Sequence, residues 1–115
     1  MKKLLPALIT GLLLSASAHA DDNPVTAEKL SESVYVLFGQ GGNIAASVGD
    51  DGIYIIDDQF AKLSDDIKKT ISDLKPGSAE FVINTHHHGD HTGGNENFAK
   101  AGAHVIAHDN VHKRL

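Results

Sequence analysis

Apolar residues come in short runs parted by glycines and polar turns, with one stretch of helical spacing among them. Val34 to Phe38 is a strand candidate, Gly41-Gly42 a turn, and Ile44 to Val48 a second strand. Asp50-Asp51-Gly52 reads as a hairpin turn. Ile53 to Ile56 reads as a third strand, buried because its apolar run is nearly continuous. From Ser64 the period changes. Ile67, Ile71 and Leu74 share one helix face, Ser64 is the candidate N-cap, Asp65 and Asp66 occupy the first turn, and Lys75-Pro76-Gly77 is the stop. Phe81 to Ile83 is the next strand, followed by a short helix from about Asn95 to Lys100 and a strand from Ala103 to Ala107. Strand, helix and strand make a right-handed βαβ unit with parallel strands. Asp57 and His86 then fall at carboxyl ends of parallel strands, the edge where open α/β sheets place their sites.

The chain divides into three expected parts. Residues 1–20 read as a secretory signal: Lys2 and Lys3, an apolar run from Leu4 to Leu14, and small residues ending Ala18-His19-Ala20, with cleavage after Ala20. That run is too short for a stable membrane span. Residues 21–32 form a polar lead, and residues 33–115 the domain proper. Export makes the mature protein periplasmic or secreted, and with no cysteine it is not stapled by disulfides. Losing Lys2 and Lys3 removes two positive charges from a chain whose formal charge is already −5. So acidic a chain is a poor partner for nucleic acid or an anionic membrane surface.

The chemistry concentrates in Thr85-His86-His87-His88-Gly89-Asp90-His91-Thr92-Gly93-Gly94-Asn95, directly after the apolar run Phe81-Val82-Ile83. In an extended backbone, side chains two apart share a side, so His86 and His88 can close on one ion while His87 is thrown to the opposite face. The spacing differs from the helical His-x-x-x-His arrangement and suits a strand end opening into a loop. Asp90 and His91 sit one turn further along, where they could serve a second ion. A histidine run in a low-complexity tract would chelate only weakly. Here Asp90 lies inside the cluster, and Gly89, Gly93 and Gly94 let the backbone turn tightly around it. Imidazoles with a carboxylate and no thiolate favour zinc, as one or two ions, with iron or manganese as poorer fits.

His86-x-His88-x-Asp90-His91, preceded by Thr85 and followed by Gly93-Gly94-Asn95, resembles the signature of the metallo-β-lactamase superfamily. Gly41-Gly42-Asn43-Ile44 and Gly52 through Asp57 resemble that family's first strands and the aspartate that closes them. The similarity covers most of the chain after residue 30. It implies an α/β (α+β) fold: the N-terminal half of a four-layer αββα sandwich, a mixed sheet with covering helices. It also implies that His86 and His88 are two ligands of a first metal site, that Asp90 and His91 are ligands of a second, and that Asp57 supports the site by accepting an imidazole N–H. Asp58 is as readily a solvated acid at a strand end as a functional group. Nothing in the resemblance makes His104, His108 or His112 ligands.

The function the resemblance implies is zinc-dependent hydrolysis. Metal-activated water attacks an ester, thioester, amide or lactam bond of a small molecule, with Asp90 as the catalytic residue that orients the nucleophile. Zinc lowers the pKa of its bound water to about 7. No serine or cysteine nucleophile is then needed, and no nucleophile elbow is present in the sequence. The family also uses a further histidine, a bridging aspartate and a last histidine downstream, so the chain is expected to be a fragment of a longer enzyme, inactive in isolation. The opposing expectation is a secreted, non-catalytic metal-binding half-domain. A half sandwich would leave a sheet face exposed, with Ile55 and Ile83 in an apolar patch open to self-association.

Overall fold

The computed structural model describes residues 23–115. The expected signal, residues 1–20, lies outside the described residues. Six strands form one sheet in chain order: β1 (Thr26–Lys29), β2 (Val34–Phe38), β3 (Ile44–Gly49), β4 (Gly52–Ile56), β5 (Phe81–Asn84) and β6 (His104–Ala107). The first four make an antiparallel meander, and β4, β5 and β6 run parallel. Connection length explains the change. Asp50 and Asp51 are enough to turn β3 into β4, whereas β4 reaches β5 through a 3-10 turn (Ala61–Leu63) and helix α1 (Ser64–Leu74). Helices α2 (Gly89–Thr92) and α3 (Asn95–Lys100) carry β5 to β6, and α4 (Asp109–His112) follows. The α+β class, the mixed sheet and the helical coverage agree with the sequence reading.

Local differences have local causes. Ser64 is not an N-cap: the 3-10 turn before it makes it already helical, at φ −55° and ψ −41°. Its buried Oγ instead accepts a hydrogen bond from Asn97 Nδ2 at 3.0 Å, tying α1 to the start of α3. The polar lead contains β1, whose Thr-Ala-Glu-Lys sequence has no apolar alternation and is held by ladder bonds to β2. Just before it, Thr70 Oγ1 on α1 donates to the Val25 carbonyl at 2.9 Å, and Asn23 Nδ2 donates to Thr70 Oγ1 at 2.9 Å.

The core lies on the helix-covered face. Leu37, Ile44, Ile55 and Val82 from the sheet meet Ile67 and Ile71 from α1 and Phe98 from α3, all at most 1% exposed. Burial of each such side chain is worth about 1.5–3 kcal/mol. β4 is not buried on both faces: Ile53 and Ile55 point into the core, while Tyr54 and Ile56 are half-buried. The register also separates Ile55 from Ile83. Ile55 pairs with Val82 in the buried row, whereas Val36, Ala45, Ile56, Ile83 and Ile106 line the other face. Of the expected exposed pair, only Ile83 is open to solvent, at 37%.

Candidate metal centre

Parallel pairing of β4 with β5, Ile56 opposite Ile83, puts the Asp57 side chain within reach of Thr85 at the carboxyl edge of the sheet. Asp57 leaves β4 with φ 66°, and Gln59 follows at φ 55°, both in the left-handed region that costs a non-glycine residue free energy. Hydrogen bonds hold that turn. The Asp57 N–H donates to the Ile83 carbonyl at 2.9 Å. The Asp57 carboxylate accepts from the Thr85 N–H at 2.8 Å through Oδ1, and from the Thr85 hydroxyl at 2.7 Å and His91 Nδ1 at 2.7 Å through Oδ2. Asp57 is 4% exposed, so these donors replace the water it has lost.

The histidine loop is tighter than an extended strand end. After His88 the chain makes one helical turn, α2, with His91 N–H and Thr92 N–H both donating to the His88 carbonyl. That turn folds His91 back over His86, ring centroids 4.0 Å apart. Ligand atoms of Asp57, His86 and His91 thereby lie within 4.8 Å of one another. His88 stands beside them, its ring 4.8 Å from that of His86, and Asp90 Oδ2 is 3.4 Å from His91 Nε2. The His87 ring lies 4.8 Å from that of His88, and desolvation, with the neighbouring His88, Arg114 and His86 adding to it, holds the His87 imidazole below its usual range.

Buried polar groups brace the site from behind. The Asp58 N–H donates to the His91 carbonyl at 3.0 Å, and Asp58 Oδ1 accepts from the Gly94 N–H at 2.9 Å. Asp58 is fully buried rather than solvated, and burial pushes its carboxyl up to about 7, the Gly94 bond opposing and the Asp57 charge adding. Gln59 Oε1 accepts from the Gln40 N–H at 3.0 Å, and Gln59 Nε2 donates to the Gly42 carbonyl, which pins the β2–β3 loop. Gly42 needs to be glycine. A Cβ there would sit 2.6 Å from Cε1 of His91, so the loop lies flat on that ring. Asn84 and Asn95 exchange side-chain bonds at 3.0 and 2.8 Å, closing the strand end onto α3.

Imidazoles and carboxylates gathered on the carboxyl edge of parallel strands form a donor set that fits a borderline divalent cation. The family model of the metallo-beta-lactamase superfamily matches residues 46–115. The chain belongs to that superfamily. Solved metallo-beta-lactamases share its fold. The mono-zinc form of FIM-1 from Pseudomonas aeruginosa is 18% identical with a TM-score of 0.68, over 78% of this chain and 44% of that one. A Cronobacter sakazakii metallo-beta-lactamase is 22% identical with a TM-score of 0.70, over 80% and 37%. BJP-1 of Bradyrhizobium japonicum is 25% identical with a TM-score of 0.66, over 74% and 33%. The chain thus spans less than half the length of these metallo-beta-lactamases.

Within the superfamily frame, Asp57, His86 and His91 come together, with His88 and Asp90 alongside. Of the histidines further along the chain, His104 packs on Phe81, and His108 Nδ1 accepts from the Asn110 N–H at the start of α4. Sequence reasoning did not single out Thr85 or Gln59 for a role. A hydroxyl residue directly before His86 was the available signal for the first; the second depends on a left-handed turn that only the folded chain reveals.

Proposed function

We propose that this chain supplies the histidine-loop half of a zinc-dependent hydrolase, with His86, His88, Asp90 and His91 as the metal ligands and Asp57 as their support. The observation that carries it is the His91–Asp57–Thr85 cluster on the carboxyl edge of β4 and β5. Asp57 has both oxygens engaged by three donors, so its carboxylate suits holding an imidazole better than binding an ion. With Nδ1 spent on Asp57, His91 keeps Nε2 as its donor atom, and Asp90 Oδ2 lies beside that atom. A bound zinc ion supplies a lowered water pKa and charge stabilisation for the developing anion. Asp90 would orient the attacking water, and the pinned Gly41-Gly42 loop covers the His91 ring.

The bonds cleaved are ester, thioester, amide or lactam bonds of small molecules met after export, in the periplasm or outside the cell, with the first 20 residues as signal, residues 21–32 as a polar lead and residues 33–115 as the catalytic part. The fold by itself selects no substrate. A second reading, a secreted metal-binding domain without turnover, rests on the loosely held donors: Asp90 Oδ2 lies 3.4 Å from His91 Nε2, and His88 meets His86 and His87 through ring edges. The face carrying Ile83 and Ile106 would then favour self-association. Turnover of a chromogenic cephalosporin, a glutathione thioester and an aryl ester, with and without zinc, by the chain joined to the second half of the sandwich, separates the two. Zinc-dependent turnover of any one supports the hydrolase. Zinc binding with none turned over leaves the metal-binding reading.

A further inference from the structure

Thr85 links His86 to the carboxylate that holds His91. Its hydroxyl oxygen is 2.7 Å from Asp57 Oδ2 and 2.9 Å from His86 Nδ1. One hydroxyl carries one proton, which cannot serve both contacts. Were it directed at His86, two oxygens would face each other at 2.7 Å with no hydrogen between them, unless Asp57 itself were the donor. Asp57 is poorly placed for that: its Oδ1 already faces the Thr85 N–H, and its Oδ2 also faces His91 Nδ1. The hydroxyl proton therefore lies on the contact with Asp57, and the Thr85 lone pair turns to His86. That second contact is a hydrogen bond only if His86 Nδ1 carries the ring proton.

We infer that Thr85 is a positioning residue through which one buried carboxylate, Asp57, fixes the ring tautomers of both His86 and His91, so that both present a bare Nε2. His91 is held directly and His86 through the hydroxyl. The arrangement is stiff because Thr85 meets the same carboxylate twice, through its N–H and its hydroxyl, and His86 is the next residue. Free imidazole side chains favour the proton on Nε2, which would block the donor atom. Holding the Nδ1–H form before an ion arrives removes that cost from binding.

The inference rests on the metal-site reading, but its test needs no metal. Two-bond 1H–15N correlation spectra of the metal-stripped chain, taken near pH 8.5 where an ordinary imidazole is neutral, report each ring's tautomer. His86 and His91 are expected as Nδ1–H in the wild type. Thr85→Val keeps the β-branched shape without the hydroxyl, and should return His86 to the Nε2–H form while leaving His91 unchanged. Thr85→Ser should preserve both. Zinc affinity should fall about 10–100-fold in the valine variant and stay near wild type in the serine variant. An Nε2–H His86 in the wild type, or a His86 tautomer unmoved by the valine substitution, overturns the inference. The wild-type spectrum decides even if Thr85→Val does not fold. A chain with the expected tautomers that binds no zinc would defeat the proposed function and not this one.

Discussion

The candidate ligands fall into two arms that are built differently. In one, His91 and His86 are tied to Asp57 and Thr85 by contacts of 2.7 to 2.9 Å, and the buried Asp58 braces the His91 main chain. In the other, His88 touches its neighbours through ring edges, and Asp90, with a side chain 36% exposed, reaches only as far as 3.4 Å from His91. The first arm is set by folding; the second is left for an ion or further protein to set. Substitutions in the first arm should therefore register in the metal-stripped protein, and those in the second only when metal is present.

The largest effect is expected from Asp58. Its folded carboxyl keeps a proton up to about pH 7, whereas the unfolded carboxyl releases it near the ordinary 3.8. Between these values the folded state binds more protons, so stability falls as pH rises from about 4 to about 7 and then levels off. At roughly 1.4 kcal/mol per unit, the upper limit is about 4 kcal/mol. Chemical denaturation of Asp58→Asn across that range should lose this component of the slope; an unchanged slope would show that Asp58 is not the group responsible.

Asp57→Asn comes next. It keeps the shape and tolerates the left-handed turn, but offers an amide where two donors now converge on Oδ2. A loss of about 10–100-fold in zinc affinity is expected, as for other groups that orient ligands from behind. Wild-type affinity by calorimetry would remove Asp57 from the account. The smallest effect belongs to the open arm: Asp90→Asn should change the stability of the metal-free protein by less than about 0.5 kcal/mol, as at most exposed positions. A larger loss in thermal melts would mean that the two arms are not built differently.

Much of this was legible in the chain. Short apolar runs and helical spacing located β2 to β6, α1 and α3, and those elements suffice to put Asp57 and the histidine loop on one edge. Periodicity did not say which residues share a face across strands: Ile55 and Ile83 look equivalent as apolar strand residues, yet pairing Ile55 with Val82 puts them on opposite sides. β1 escaped notice because backbone bonds rather than apolar contacts hold it. Within the site, the ligand types were readable, but α2 replaced the expected loop and moved His91 onto His86. The positive φ of Asp57 and Gln59 and the bridging hydroxyl of Thr85 depend on partners 17 to 34 residues apart in the chain, which no local pattern encodes.

Calorimetric titration of zinc into the metal-stripped chain, beside the His86→Ala, His88→Ala double variant, tests the central claim most directly. The account predicts weak but measurable binding to the wild type, water completing the coordination sphere, and its loss in the double variant with the fold retained by circular dichroism. Unchanged affinity in the double variant would contradict it and shift attention to His104, His108 and His112.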